Sequence, residues 1–305
     1  MRIVGMVPVY NEADIIGQVI EHLIAQGIEV VILDNASYDG SYEISSGFLG
    51  KGLLAIERQA TAKHQWAYFL QRLYSMALQH SPDWVLISGA DEFLESPYRE
   101  LDLKSAIERE ASEGYNVIQF NHFEFWPTEK DWDSLERDVR KRIKYYTFND
   151  NFQFRCWRVF PGISVAEGGS HYPNFPRGQP VCLSPTKFVL QHYPIRSYEQ
   201  GLRKVFRDRL PRYAPEEKRK GWGIHYDHFK EEREFFIIDS NKLTRYNDDG
   251  NWNLTRTFDG SFGAVKPTSI EDPSSLMECK SSARLRLGWA RSLYSRLRTH
   301  DHHNS

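Results

Sequence analysis

The fold is decided by a stretch near the start of the chain, Ile3-Val4-Gly5-Met6-Val7-Pro8-Val9-Tyr10-Asn11-Glu12. Residues 3 to 9 are mostly apolar and predict a buried strand. Apolar residues then recur at helical spacing, at Ile15, Ile16, Val19, Ile20, Leu23 and Ile24. Asn11 is expected to cap the helix that they predict, and Gly27 to end it. The stretch therefore predicts the first strand and helix of a βαβ unit.

Strands and helices continue to alternate along the next part of the chain. Short apolar runs predict a second strand over residues 30–33, a third over 53–56 and a fourth over 84–88. The clearest helix lies between the last two and has one face made of Trp66, Phe69, Leu70, Leu73, Tyr74, Ala77 and Leu78. This alternation favours an α/β fold with a mostly parallel sheet flanked by helices.

The pattern becomes less regular after residue 96. The remaining apolar patterns predict a helix over 101–111, strands over 117–120 and 187–191, a half-buried strand over 152–156 and a basic helix over 197–209. Residues 122–150 are polar and aromatic without a clear period. We predict one domain over residues 1–275, made of two halves, 1–95 and 96–275.

The last segment of the sequence, residues 276–305, combines apolar and basic side chains. Leucines and aromatic residues alternate with arginines from Ser281 to Arg298, which predicts a basic amphipathic helix. Such a helix can lie on an anionic membrane surface. A surface helix or a frayed tail is the other interpretation, and the sequence leaves both open.

Composition limits the classes of partner and setting. The chain has 305 residues, 40% of them hydrophobic, and a formal net charge of −2, which gives no general attraction to nucleic acid. Its three cysteines are widely spaced and suggest neither a disulfide framework nor a zinc site. The apolar run at the N-terminus is too short for a signal peptide or a membrane span. We expect a cytoplasmic protein, membrane-peripheral if the last helix binds lipid, and no nucleic-acid partner.

Polar loops follow three of the predicted strands. They are Pro8 to Glu12, Asp34 to Ser41, and Gly89-Ala90-Asp91-Glu92. Ligands of open α/β sheets bind at the carboxyl ends of the strands, where these loops would meet. A carboxylate such as Asp91 suits a hard divalent cation that bridges a diphosphate. The structural alternative is that these residues only cap helices and turns.

Together these segments resemble the family 2 glycosyltransferases, which have the GT-A fold. The matching motifs are Val7-Pro8-Val9-Tyr10-Asn11-Glu12, Leu33-Asp34-Asn35-Ala36-Ser37-Tyr38-Asp39-Gly40-Ser41 and Gly89-Ala90-Asp91-Glu92-Phe93-Leu94. Their order and spacing agree with the family over residues 1–95. Leu190 to Ser197 looks like the later histidine segment of such enzymes.

The resemblance implies a Rossmann-like GT-A fold and a hexosyltransferase-type activity in polysaccharide biosynthesis. The donor would be a nucleotide-diphosphate sugar, the acceptor a carbohydrate or glycolipid, and the reaction inverting. Residues 1–95 would bind the nucleotide and residues 96–275 the acceptor. The tail 276–305 lies beyond the domain.

The resemblance also implies roles for particular residues. Nucleotide-binding residues would be Pro8, Tyr10, Asn11, Glu12, Asp34, Asp39 and Arg58, although Arg58 is equally compatible with an ordinary surface arginine. Asp91 would bind Mn²⁺ or Mg²⁺, with His192 as a second protein ligand. Asp91 would thereby be catalytic, because the metal neutralises the departing diphosphate.

One position departs from the family motif. Family members carry Asp-X-Asp where this chain has Gly89-Ala90-Asp91, so the first acid is missing. A carboxylate 4 Å from a cation contributes roughly 4 kcal/mol of attraction per unit charge at an effective dielectric near 20. A catalytically silent sugar-nucleotide-binding protein of the same fold is therefore the alternative function.

An inverting reaction also needs a carboxylate that takes the proton of the acceptor hydroxyl. The candidates are Glu124, Asp131 and Glu167. We favour Glu167, because it precedes the flexible sequence Gly168-Gly169-Ser170-His171. Positive charge near the diphosphate could come from Arg196, Arg203, Lys204 and Arg207, for which a solvated basic face is the alternative.

Overall fold

The computed structural model describes residues 1–60, 66–131, 135–151, 153–166, 171–213, 218–219, 223 and 226–258. Glu167, the proposed base, and the tail 276–305 lie outside these residues. In chain order the strands and helices are β1 (Ile3–Val9), α1 (Ile16–Ala25), β2 (Glu29–Asp34), α2 (Ser41–Ser46), β3 (Leu53–Arg58), α3 (Trp66–Leu78), β4 (Trp84–Ile87), β5 (Glu92–Glu95), α4 (Leu103–Ser112), β6 (Val117–Ile118), β7 (Phe120–Trp126), α5 (Val139–Arg142), β8 (Tyr145–Asn149), β9 (Cys156–Arg158), β10 (Phe188–His192), α6 (Tyr198–Leu202) and β11 (Thr244–Arg245).

The first sheet has the strand order β3-β2-β1-β4-β9-β6. Its first four strands are parallel, as predicted from the alternation of strands and helices. Strand β9 runs antiparallel to both β4 and β6, so the sheet is mixed at that end. Every residue of β1 is buried, as expected of a central strand with helices on both faces.

A second sheet has the order β11-β8-β7-β10-β5. Its strands β7 and β8 form an antiparallel pair from the region 122–150, for which the sequence predicted no regular structure. Both strands do alternate, at His122-Phe123-Glu124-Phe125 and at Tyr146-Thr147-Phe148-Asn149, but each alternation is only four residues long, the minimum for a strand signal. Nearly all of both strands is buried, so their polar residues do not mark a solvent-facing side.

Helix α1 begins at Ile16 and is not capped by Asn11. No side chain caps its first turn, and Asn11 has a left-handed backbone with φ of 54°. The prediction of a cap was therefore wrong. Gly27 does follow the end of the helix with φ of 76°, a conformation that glycine adopts without strain.

The basic segment predicted as one helix over residues 197–209 contains two helical forms, and a third follows it. Ser197 caps α6 by accepting a hydrogen bond from the backbone N–H of Gln200 at 3.1 Å. A π-helix, Arg203–Arg209, and a short 3-10 turn, Leu210–Arg212, continue the chain. Lys204 and Asp208 of the π-helix are buried. Wide π turns of this kind are frequent at functional sites.

Among the described residues, no helix has both the length and the apolar character needed to cross a bilayer. Cys156 is a buried free thiol in β9.

Candidate active site

The loops that follow β1 and β2 are joined by hydrogen bonds. The backbone N–H of Asn11 donates to Ser37 Oγ at 3.0 Å, and the backbone N–H of Tyr38 donates to Asn11 Oδ1 at 3.0 Å. The backbone N–H of Glu12 donates to Ser41 Oγ at 2.8 Å. The two loops therefore meet at one edge of the first sheet, as the motif positions predicted.

Two acids of the second loop hold this arrangement. Asp39 accepts hydrogen bonds from the backbone N–H groups of Ser41 at 3.0 Å and Ala13 at 3.1 Å. Asp34 is fully buried and accepts from the backbone N–H of Ser37 at 3.0 Å. Burial raises the pKa of Asp34 above its ordinary value. Its second oxygen, Oδ2, has no hydrogen-bond partner among the described residues.

Arg58 reaches into the same loops. Its side chain is 40% exposed, but its Nε lies 3.4 Å from Asp34 Oδ1 and its guanidinium donates to the carbonyl of Ser37. Arg58 is therefore part of this loop network and not an isolated surface arginine.

Tyr10 and Pro8 belong to the end of β1. The Tyr10 ring is buried, and the Arg212 guanidinium lies 3.6 Å from its centroid. Pro8 is buried within the strand, in register with Leu33 of β2. Of these two predicted site residues, Tyr10 is therefore the one that meets the basic segment 196–212.

Asp91 stands in the turn between β4 and β5 and is surrounded by positive groups. Lys204 Nζ donates to Asp91 Oδ2 at 2.6 Å. The same oxygen lies 3.5 Å from His192 Nε2 and 4.0 Å from Arg196 Nη1. Burial alone would raise the pKa of Asp91, but the charges of Lys204 and His192 hold it well below its ordinary value.

Glu12 joins the same cluster from the first loop. Its carboxylate accepts hydrogen bonds from Arg196 Nη2 at 2.5 Å and from Arg209 Nη2 at 3.4 Å. Lys204 Nζ lies 2.8 Å from Glu12 Oε1. Lys204 therefore bridges two carboxylates, Glu12 and Asp91, that come from different strands.

Asp208 is a site residue that the sequence did not single out. It accepts from Asn11 Nδ2 at 2.9 Å, from the Tyr38 hydroxyl at 2.5 Å and from Arg203 Nη1 at 3.0 Å. The π-helix is thereby fastened to both loops. The available signal was the lone acid in the basic run Arg203-Lys204-Val205-Phe206-Arg207-Asp208-Arg209.

The position of the missing motif acid is filled by Glu92. Gly89 donates its backbone N–H to Glu92 Oε2 at 2.5 Å, and Arg155 donates to Glu92 Oε1 at 2.7 Å. A Cβ atom added to Gly89 would lie 2.9 Å from Glu92 Cδ. Glu92 and Arg155 form a buried ion pair, so this carboxylate has little freedom to move away.

His192 lies at the end of β10 and faces acids on two sides. Besides Asp91, its Nδ1 is 3.7 Å from Glu124 Oε1 and 3.3 Å from His122 Nε2. Burial opposes the charged imidazole, but the Asp91 carboxylate raises the pKa of His192 to about 9. Burial lowers the pKa of His122 to about 3.

One group of described side chains could hold a metal ion, and it does not include the predicted ligand Asp91. Ligand atoms of His122, Glu124 and His192 all lie within 4.8 Å of one another and could hold a metal ion. Asp91 does not fit one, because its Oδ2 already accepts from the Lys204 ammonium at 2.6 Å. Each pair of unit positive charges about 4 Å apart repels by about 4 kcal/mol at an effective dielectric near 20.

Glu167 lies outside the described residues, but its neighbour His171 is described. His171 Nδ1 is 3.1 Å from Gln153 Oε1, which also accepts from Arg155 Nε at 2.5 Å. His171 therefore joins the polar network that contains Glu92. Asp131 is another base candidate. Its Oδ2 accepts hydrogen bonds from the backbone N–H of Thr128 at 2.7 Å and from the Thr128 hydroxyl at 2.8 Å.

Comparison with known proteins gives a family match for the first half of the chain. Residues 6–155 match the sequence model of the family described as Glycosyl transferase family 2. A comparison with curated proteins found no match. Residues 6–155, just under half of the chain, are therefore similar to family 2 glycosyltransferases, and the mixed α/β fold agrees with the GT-A type expected from the sequence.

Solved structures of the S. aureus protein TarS are similar to the chain. One TarS structure is 14% identical with a TM-score of 0.39, and the match covers 79% of this chain and 46% of TarS. TarS residues 1–349 in complex with UDP-GlcNAc are 14% identical with a TM-score of 0.40, covering 79% of this chain and 77% of that one. The chain thus spans less than half of the longer TarS chain.

Proposed function

We propose that this protein transfers a sugar from a nucleoside diphosphate donor to a hydroxyl group of a carbohydrate or glycolipid acceptor. The observation that carries the proposal is the meeting of three motif loops with a buried basic cluster. Asn11, Asp39 and Asp91 come from the loops after β1, β2 and β4, and each contacts a residue of the π-helix. A donor would lie where these elements meet.

The nucleoside would bind beside Asp34. Its Oδ2 is buried and has no hydrogen-bond partner within the described part of the chain. A buried oxygen of this kind is favourable only when a donor group reaches it. The N–H of a base or a ribose hydroxyl would supply that donor, and Arg58 holds the other oxygen in place.

The diphosphate would lie toward the basic cluster of Arg196, Lys204 and Arg209. In the reaction the acceptor oxygen bonds to the anomeric carbon, and the bond from that carbon to the diphosphate oxygen breaks. Negative charge then grows on the departing diphosphate, and fixed positive groups stabilise it as it forms.

The acceptor hydroxyl must give its proton to a base, and we propose an inverting reaction in which Glu167 accepts it. Glu167 is suggested because His171, four positions later, belongs to the network of Gln153 and Arg155. The divalent metal implied by the family finds no suitable place at Asp91. A metal bound by His122, Glu124 and His192 would order these three side chains, of which His192 lies next to Asp91. The proposed reaction does not depend on this metal.

Nucleotide binding tests the proposal. We would measure the shift in melting temperature with a panel of nucleoside diphosphates, because a ligand that binds only the folded state stabilises it. One nucleotide should stabilise the protein selectively. Asp34→Asn should weaken its binding on the order of 10-fold or more, the effect of one lost hydrogen bond to a buried charge. The control Glu113→Gln changes an exposed acid at the end of α4 and should bind normally.

Measuring turnover distinguishes an active enzyme from a catalytically silent sugar-nucleotide-binding protein. The absence of the first motif acid at Gly89 is the observation that favours the silent protein. The stabilising nucleotide would be supplied with attached sugars, and the release of nucleoside diphosphate would be followed. Binding without release under every condition would support the silent protein. Absence of binding to any nucleotide would refute the proposed function.

Membrane contact is a separate proposal. Residues 276–305 lie outside the described residues, so their role stays a prediction from sequence, as does the cytoplasmic, membrane-peripheral setting. Removing residues 276–305 should abolish binding to anionic liposomes and leave binding to neutral liposomes unchanged. Equal binding of both proteins to anionic liposomes would exclude this role.

A further inference from the structure

We propose that Lys204 supplies the positive charge for the departing diphosphate, and that this protein therefore binds and uses its donor without a divalent cation. The inference rests on the proposed function and adds to it the identity of the cation. It follows from the disagreement between the metal implied by the family and the groups that surround Asp91.

The first observation is the position of the Lys204 ammonium. It donates to Asp91 Oδ2 at 2.6 Å and lies 2.8 Å from Glu12 Oε1. Asp91 is the carboxylate that the family motif assigns to the metal, so the ammonium occupies the neighbourhood that the metal would need. An ammonium has three N–H donors, and these two contacts leave the third for a phosphate oxygen.

The second observation is the charge balance around the two carboxylates. Glu12, Asp14 and Asp91 contact three cations, which are Arg196, Lys204 and Arg209. The three lysine and arginine cations thus match the three carboxylates, and the His192 imidazole lies beside Asp91 as well. A divalent cation would add two positive charges to a cluster whose carboxylates are already matched. A diphosphate with two negative charges does not face this repulsion. Arg212 also brings a further positive group next to Tyr10.

The third observation is the space beside Gly89. A second acidic ligand at this position would need a Cβ atom 2.9 Å from Glu92 Cδ and 3.1 Å from Asp91 Oδ1. Glu92 is held by Arg155, whose side chain is 1% exposed. The chain therefore replaces the first motif acid with a packed ion pair and leaves a single motif carboxylate, which Lys204 already occupies.

The choice of lysine and its rigid position suit this role. An ammonium is a compact point charge, closer to a metal ion in shape than the planar guanidinium of arginine. The Lys204 side chain is only 4% exposed, and Asp208 on the same π-helix is bonded to Asn11. The charge is thus fixed before the donor arrives, which is the condition for efficient stabilisation of a developing anion.

The experiment compares the wild-type protein in EDTA with the same protein supplied with Mn²⁺ or Mg²⁺. Donor binding and nucleoside diphosphate release should agree within about twofold, since no metal enters the step. Loss of release in EDTA and its recovery with Mn²⁺ would overturn the inference and leave the proposed function intact. Failure to bind any nucleotide in either condition would refute the proposed function, and this inference with it.

The variant Lys204→Met tests the residue itself. It should lower the release rate by about 100-fold or more, the usual effect of removing one group that stabilises a developing anion. Because it frees Asp91 and Glu12, added Mn²⁺ should restore part of the rate. The control Lys51→Met removes an exposed ammonium that, within the described part of the chain, contacts the carbonyl of Gly47 alone, and it should leave the release rate unchanged.

A folded Lys204→Met protein with the wild-type release rate would also overturn the inference. Urea unfolding would establish that the variant is folded. If it is not, the wild-type comparison in EDTA still decides the question.

Discussion

Asn11 donates a hydrogen bond from its side-chain amide to Asp208 at 2.9 Å, across 197 positions of sequence. Both residues are buried. The bond connects the loop after the first strand to the π-helix, so it joins the two halves predicted from the sequence. Asp208 also receives hydrogen bonds from Tyr38 and Arg203, which makes it the common acceptor of this junction.

Replacing Asp208 with alanine should therefore destabilise the fold. Asn11 would lose a buried and Arg203 a partly buried charge-assisted hydrogen bond, and we expect a loss on the order of 3 kcal/mol in the free energy of unfolding. Urea denaturation measures this loss. Arg207→Ala alters an exposed neighbour on the same π-helix and should stay within about 0.5 kcal/mol of the wild type. Equal stabilities of the two variants would show that the junction contributes nothing.

The ion pair of Glu92 and Arg155 should be sensitive to the loss of either partner. Glu92→Gln would leave the Arg155 charge buried, and removing one partner of such a pair typically destabilises by about 3–5 kcal/mol. Glu57→Gln breaks the partly exposed pair with Arg72 and should lose less than about 1 kcal/mol. Chemical denaturation of both variants gives the comparison. Similar losses would contradict the buried character of the first pair.

Gly89 and Gly17 should respond oppositely to alanine. At Gly89 the new methyl group would lie 2.9 Å from Glu92 Cδ, so we expect about 1–3 kcal/mol of destabilisation from overpacking. At Gly17, within α1, the nearest atom is 3.4 Å away, and the gain in helix propensity should stabilise by about 0.5–1 kcal/mol. Thermal unfolding distinguishes the signs. A stabilising Gly89→Ala would mean that Glu92 moves aside freely.

Because His22 is buried as a neutral imidazole, the free energy of unfolding should decrease in mild acid. Its Nε2 is bonded to the carbonyl of Leu94 at 2.9 Å, and Arg140 lies 3.2 Å from its Nδ1. Burial, followed by the Arg140 charge, lowers the pKa of His22 to about 4, while the unfolded value is near 6.5. The unfolded chain therefore binds more protons between these values, and stability decreases as the pH falls from about 6.5 to about 4.

The variant His22→Gln isolates this contribution. It keeps a donor for the Leu94 carbonyl but does not titrate. Relative to the variant, the wild type should lose up to about 3 kcal/mol of unfolding free energy between pH 7 and pH 4, an upper bound set by the size of the pKa difference. Urea denaturation at several pH values measures the difference. Parallel pH profiles for the two proteins would contradict a buried neutral histidine.

The first 95 residues show where sequence alone was sufficient. The strands around Val7, Ile32 and Leu86 were predicted because each apolar run is bounded by polar loops. In a parallel sheet the carboxyl ends of the strands lie at the same edge, so the loops that follow them are close together. For this reason the strand pattern alone led us to expect the loops of Asn11 and Ser37 to meet, as their hydrogen bond shows.

The later half was harder for a physical reason. Phe123 and Phe125 alternate with His122 and Glu124, but this run of four residues lies within a polar and aromatic segment and was too short to predict a strand. The bridge from Lys204 to Asp91 spans 113 positions, and nothing local distinguishes Lys204 from the other cations of its segment. The role of Glu92 depends on Arg155, 63 positions away, and that pairing is a product of the tertiary fold.

The basic segment that ends in the π-helix also limits how the two halves of the chain can change during evolution. Exchanging the second half for that of a related protein would remove Arg196, Lys204 and Arg209 together. Glu12 and Asp91 of the first half would then be buried carboxylates without these positive partners. A chimaera that folds would need a second half with basic residues at the matching positions. Substitutions at the paired positions of the two halves therefore constrain each other.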